Sequence, residues 1–246
     1  MSTPLKPTGA IGAWVVSLLC LWVVIAVSEA LAFAHRIDLM KQLQHGGLIT
    51  DDTATTADSA VVLATSLDLI VFIVTAVMWC VWQHRAHTNA IQLSGGGLRF
   101  TPGWAVGWWF IPVANLWKPF QAVRELWAAS HAADRWRTVG TWPLIDWWWT
   151  LWIANVLVAW AAVGFGISSE TPTAGPITPE DVINGDTWQI VSNALGIVVA
   201  FFAIKIVRTI VHLQDAQPRR APGLGEQDTP PMPPPPQEDH DATAVT

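Results

Sequence analysis

An all-α, integral membrane four-helix bundle is the fold class this sequence predicts, and three observations predict it. Only 13% of the 246 residues are charged, about half the ~25% of a soluble domain. Four long, mostly apolar runs occupy residues 10–34, 59–82, 142–166 and 187–213, and about 20 apolar residues suffice to cross a bilayer core of roughly 30 Å. The stretches between the runs segregate Lys and Arg from Asp and Glu, as the loops of a multi-pass protein do.

The first run needs one distinction. Lys6, an apolar stretch and "ALAFAHR" outline a signal peptide cut after Ala34. The stretch from Ala10 to Val27 is longer than the usual h-region and its basic flank is thin, so a retained span is predicted. Loop charge then orients all four. The stretch between spans two and three carries Arg85, Arg99, Lys118, Arg124, Arg135 and Arg137, and Lys205, Arg208, Arg219 and Arg220 lie at or beyond the end of span four. The loop after span one holds only Arg36 and Lys41, and the loop after span three holds no Lys or Arg. Both termini and the middle region are therefore expected in the cytoplasm. Seventeen Trp with no Tyr and few Lys fit a GC-rich coding sequence, hence a bacterial inner membrane.

Between spans two and three lies "TPGWAVGWWFIPVANLWKPF", residues 101–120. Fourteen residues, 104–117, make a helix of only about 21 Å, too short to cross, and Pro102-Gly103 and Pro112 break it. A crossing here would also place Arg219 and Arg220 outside. The segment is expected at the cytoplasmic interface, re-entrant or lying flat. Thirteen Trp fall between Trp79 and Trp152, matching the indole's preference for head-group depth. After Pro119, the residues Phe120, Val123, Leu126 and Trp127 share a helical face while Gln121, Arg124, Glu125 and Arg135 lie elsewhere around it. That pattern reads either as an interfacial helix or as an amphipathic helix packed on the spans. The expected organisation is a cytoplasmic N-terminus (1–9), a membrane domain (10–213) with an interfacial segment (104–137), and a Pro-rich acidic tail (214–246), disordered by composition.

The string "WQHRAHTN" at 82–89, followed by "GGGLRFTPGWAVGWWFIPVANLWKPFQAVRELW" at 95–127, resembles the bacterial membrane family catalogued as domain of unknown function 4328. The family's Trp-x-x-Arg-x-x-x-Asn pattern falls on Trp82, Arg85 and Asn89, and its Pro-Gly-Trp block on Pro102 through Pro119. The resemblance implies a multi-span membrane protein. It implies no activity and no catalytic residues.

Candidate chemistry is sparse. No nucleotide-binding, hydrolase or zinc-protease motif occurs, no basic nucleic-acid motif appears, and no cofactor is expected. Cys20 and Cys80 read as small buried apolar residues within spans. His84 and His87, one helical turn apart, would need His131 or His212 to complete a metal site, so none is assigned. "SGGGL" at 94–98 reads as a flexible hinge. Arg85, Asn89, Trp108, Trp109, Asn115, Lys118 and Arg124 form the candidate surface for lipid head groups or another membrane protein.

Inside the spans, Asp68 stands out, because a mid-span carboxylate costs about 2.5–3.5 kcal/mol. Counted inward from the outer ends, Asp68 lies about 14 Å deep, Asn155 about 17 Å, Asn193 about 9 Å and Glu29 about 8 Å. Thr65 and Thr75 share the side of Asp68, and a polar cluster with Asn155 or Asn193 is expected. Three readings follow. The first is a non-enzymatic structural or regulatory membrane module, the second a small ion or solute transporter using Asp68. The third is an interfacial enzyme on lipid-linked substrates using Asp146 or His131.

Overall fold

The computed structural model describes residues 5–133, 135–170 and 177–217, with 161–170 described by their backbone alone. Among these residues every regular element is helical: α1 (Gly9–Gln44), α2 (Asp51–Leu93), α3 (Pro102–Gly107), α4 (Lys118–His131), α5 (Pro143–Glu170) and α6 (Pro179–Ala216). Two 3-10 turns, Trp108–Phe110 and Ala114–Leu116, join α3 to α4.

Local signals set the helix starts. Thr50 caps α2, its hydroxyl accepting from the Thr53 N–H at 3.3 Å, with Asp51 and Asp52 in the first turn. Thr178 and Asp181 form a reciprocal capping box ahead of α6. Each cap satisfies N–H groups that a helix start leaves unpaired. After α2, Gly95, Gly96 and Gly97 all adopt positive φ, a run open only to glycine. The expected hinge is thus a defined left-handed turn that throws the chain back toward α4.

Helices α1, α2 and α6 are each long and apolar enough to cross a membrane. At 36, 43 and 38 residues they measure about 54, 65 and 57 Å, well beyond a bilayer core. The apolar runs 10–34, 59–82 and 187–213 are therefore each only a part of a longer helix. Helix α5 has 28 residues, and the expected third span, 142–166, runs into its backbone-only part. On α2, Val62, Leu63, Ile70, Phe72 and Ile73 are all exposed, an apolar surface that calls for an apolar solvent. Cys20 shares this exposure and Cys80 is only half-buried, which corrects the expectation that both are enclosed. Residues 214–216, assigned to the tail by composition, continue α6, and 218–246 lie outside the described residues.

Helix α1 is the central strut. It packs on both α2 and α6, and α5 packs on the far side of α6. Two close approaches hold α1 against α6. A Cβ at Gly12 would lie 2.7 Å from Val211 Cγ2, and one at Gly196 would lie 2.6 Å from Trp22 Cη2. Small residues let helices meet this closely in membranes.

Polar ties pin the antiparallel register at three levels. At one end, Asn89 on α2 and Gln214 on α6 meet the chain just before α1. In the middle, Glu29 accepts from Thr65 Oγ1 at 2.9 Å and from Asn193 Nδ2 at 3.0 Å. At the other end, Arg36 donates through Nη2 and Nε to Asp186 at 2.6 and 2.9 Å, and through Nη1 to Asp58 at 3.3 Å.

The two Arg36 contacts are unequal. Asp186 is 4% exposed and engages both ends of the guanidinium fork, whereas Asp58 is 64% exposed. A forked, enclosed pair is worth more than a solvated one. Asp186→Asn should cost about 2 kcal/mol of thermal stability in detergent, and Asp58→Asn less than about 1 kcal/mol. Equal losses would contradict this ranking.

Candidate functional site

Helices α2 and α5 flank the molecule and make little direct backbone contact. At one end, indole rings bridge them. Trp79 on α2 lies 5.6 Å from Trp148 on α5, centroid to centroid, and 5.1 Å from Trp82. Trp109, from the first 3-10 turn, meets Trp149 at 5.8 Å and Trp152 at 5.7 Å, edge to face. Phe120 from α4 stacks on Trp149 at 5.9 Å. Such arrangements add stability beyond apolar burial. Trp79, Trp82, Trp148 and Trp149 are buried, so the demand for a core, in addition to any head-group preference, accounts for their number.

Buried indole N–H groups need acceptors. Gln83, fully enclosed, supplies one oxygen to two of them: Trp79 Nε1 donates at 3.1 Å and Trp109 Nε1 at 2.8 Å. Its own amide donates to the Ala105 carbonyl in α3 at 3.2 Å. Trp149 Nε1 donates to the Leu116 carbonyl at 3.0 Å. Two side chains thereby tie the broken 101–120 segment to α2 and α5. The breaks fall where the prolines predict, with Pro102 opening α3, Pro112 between the turns and Pro119 in the first turn of α4.

Helix α4 buries Val123 and Leu126 as expected, and it packs on α2, α5 and α6. Glu125 departs from the sequence reading. It was expected away from the apolar face, yet it is buried, accepting from the backbone N–H groups of Arg99 and Phe100. Burial pushes its pKa up, and those amides and the Arg99 charge oppose the rise. The helix is wedged between neighbours on two sides, so a single polar face does not survive.

The candidate surface residues separate into two groups. Asn89 is enclosed: its Oδ1 accepts from the Lys6 N–H and its Nδ2 donates to the Lys6 carbonyl, both at 2.8 Å. Its Nδ2 also reaches Gln214 Oε1 at 3.3 Å, and Gln214 Nε2 donates to the Ala86 carbonyl at 2.9 Å and to Ser130 Oγ at 3.0 Å. This network holds four elements together and leaves Asn89 no face for a lipid. Trp109 is likewise spent within the indole cluster. Arg85 is half-buried. Lys118 lies over the Trp108 ring at 5.4 Å and the Phe100 ring at 6.0 Å, and Arg124 over Phe120 at 5.1 Å. Asn115 has a buried side-chain oxygen with no hydrogen bond among the described residues.

Of the polar residues within the spans, Glu29 and Asn193 meet directly, and Ser192 donates to Asn155 at 3.2 Å alongside. Asn193 therefore pairs with Glu29, not with Asp68. One Asp68 oxygen is buried without a hydrogen bond among the described residues. Thr75 turns back on the Val71 carbonyl at 2.7 Å.

His87 is fully enclosed and neither ring nitrogen has a partner among the described residues. Burial, aided by nearby His84, lowers its pKa to about 4, so it is neutral at physiological pH. No three His, Cys, Asp or Glu among the described residues gather to hold a metal. His131 stacks on Trp127 at 5.1 Å, and Asp146 sits in the first turn of α5.

Gln83, Gln214 and Ser130 escaped the sequence reading. The available signal was spacing: Trp79, Gln83, Ala86 and Ala90 recur at four, three and four residues, the rhythm of a buried helical stripe continuing past the apolar run.

No curated protein and no solved structure matches the chain. The family whose description reads domain of unknown function, number 4328, matches residues 45–212. The match takes in α2 through most of α6 and includes Trp82, Arg85, Asn89 and the Pro102–Pro119 block, with α1 outside it. By that match over more than half its length, the chain belongs to the domain of unknown function 4328 family.

Proposed function

We propose that the protein is a multi-pass, non-enzymatic membrane module, structural or regulatory, seated in a bacterial inner membrane. Its four long helices cross the bilayer, both termini are cytoplasmic, and the Trp-rich end meets anionic head groups or another membrane protein. The observation that carries this reading is the partition of cations. Arg85, Arg99, Lys118, Arg124 and Arg137, with Lys205 and Arg208 on α6, belong to the end that holds α3 and α4. At the opposite end there are two cations among the described residues, Arg36, engaged by two carboxylates, and exposed Lys41. Exposed Arg99 and Arg137 would each gain about 1 kcal/mol near an anionic leaflet.

Reporter fusions test the orientation. Fusions at Gly96 and Gln217 should report the cytoplasm, and a fusion at Asp52 the periplasm. A periplasmic signal at Gln217 would leave an odd number of crossings and sink the four-span reading.

A second reading, a small ion or solute transporter, draws on one observation. Glu29 is held between Thr65 and Asn193, and one Asp68 oxygen on the neighbouring helix is buried without a hydrogen bond among the described residues. Carboxylates at such depth are costly, and their presence points to a functional site. Reconstituted protein should then carry protons or cations into liposomes, and Asp68→Asn should abolish the flux. Flux absent from the wild type, or intact in Asp68→Asn, removes this reading.

A further inference from the structure

Helix α4 and the stretch 136–142 just ahead of α5 line a half-open cavity of about 150 Å³. Arg124, Arg137, Trp127, Trp136 and Trp142 line it, with Glu125 beside them. We propose that this cavity seats the phosphodiester of a phospholipid head group. The proposal rests on reading the Trp-rich end as membrane-facing and narrows that reading to one site.

Both guanidiniums are positioned before any ligand arrives. Arg137 lies over the Trp136 ring at 4.8 Å and donates through Nη2 to the Gly97 carbonyl at 3.2 Å. A Cβ at Gly97 would stand 2.7 Å from that nitrogen, so the glycine turn is what admits the guanidinium. Arg124 rests over Phe120. Stacking on a ring leaves the in-plane N–H groups of Arg124, and those of Arg137 that Gly97 does not take, to pair with phosphate oxygens.

The neighbouring carboxylate does not turn the site toward cations. Glu125 already accepts from the Arg99 and Phe100 amides, which spread its charge, and Arg124 and Arg137 outnumber it. Size narrows the ligand further. Pockets for drug-sized solutes run to about 300–1,000 Å³, and this one has room for a phosphate and the first atoms beyond it.

The surroundings favour a phosphate that carries acyl chains. Trp127 and Trp142 stack at 5.8 Å, giving the cavity an apolar wall at the level where α5 begins. On α5 itself, Trp147 is 62% exposed. A head group held by the arginines would leave its chains to run along that apolar surface.

The test uses the purified full chain in neutral detergent, with phosphatidylglycerol, diacylglycerol and inorganic phosphate as separate probes and native mass spectrometry as the readout. Phosphatidylglycerol should bind and diacylglycerol should not. Arg124→Gln combined with Arg137→Gln should weaken phosphatidylglycerol binding about tenfold or more. Arg208→Gln, an exposed cation on α6 outside the cavity, should leave it unchanged. Arg137→Lys keeps the charge but loses the fork, and should also weaken binding, which preserves the test if the double variant fails to fold. Equal weakening by Arg208→Gln, or full binding by Arg137→Lys, overturns the cavity while leaving a diffuse basic face intact. Equal binding of phosphatidylglycerol and diacylglycerol overturns both. Displacement of the lipid by an equal concentration of inorganic phosphate would make a soluble anion the ligand and overturn the lipid assignment.

Discussion

A single buried amide, Gln83, organises the Trp-rich end. The segment from 101 to 117 contains only short helical pieces, broken by proline, and cannot hold its shape through its own backbone ladder. One Gln83 oxygen takes the N–H groups of Trp79 and Trp109, and the amide nitrogen holds the Ala105 carbonyl. An amide oxygen has two lone pairs, so both indoles can be satisfied at once. With Trp109 fixed, the rings of Trp149 and Trp152 have an edge to pack against, and α2 is joined to α5 across a gap that their backbones do not close. Phe120 on Trp149 then brings α4 into the same cluster, and α4 supplies one wall of the arginine-lined cavity.

The rest of the molecule repeats this device along α1. Its register against α2 and α6 is set by polar contacts at both ends and in the middle, between apolar stretches that would tolerate sliding. Asn89 and Gln214 fix one end, Glu29 with Asn193 and Thr65 the middle, and Arg36 with Asp186 the other. A slip of one helical turn would strand every one of these groups, and an unpaired buried polar group costs more than a made hydrogen bond returns. This gives two members of the family motif a structural meaning. Trp82 fills the core beside Gly12, and Asn89 clips the chain ahead of α1. Arg85, half-buried, belongs to neither job.

The parts legible in the sequence were those written as composition over many residues. Apolar runs gave the centres of the long helices, prolines gave the breaks at 102, 112 and 119, and periodicity gave the Val123 and Leu126 face of α4. The helix ends were not legible. Residues 35–44 and 83–93 are mostly polar, and tertiary partners such as Asp186 and Gln214, more than 100 residues away, hold them. Glu125 misled for a related reason: periodicity assumes one buried side, and α4 has two. Gln83 and Ser130 carry no motif at all, because their importance comes from which N–H and hydroxyl groups the fold brings to them. Partner choice around Asp68 was not legible either. Sequence depth put several polar groups within reach, and only the helix faces decide that Asn193 turns to Glu29.

The most direct measurement is the thermal unfolding of Gln83→Met in detergent, followed by tryptophan fluorescence. Methionine keeps the side-chain volume and removes only the hydrogen bonds. Loss of an acceptor shared by two enclosed indoles should lower stability by about 2–3 kcal/mol and shift the folded-state emission as Trp109 loosens. A variant that unfolds with the wild-type midpoint and the wild-type spectrum would contradict the claim that this amide holds the Trp-rich end together.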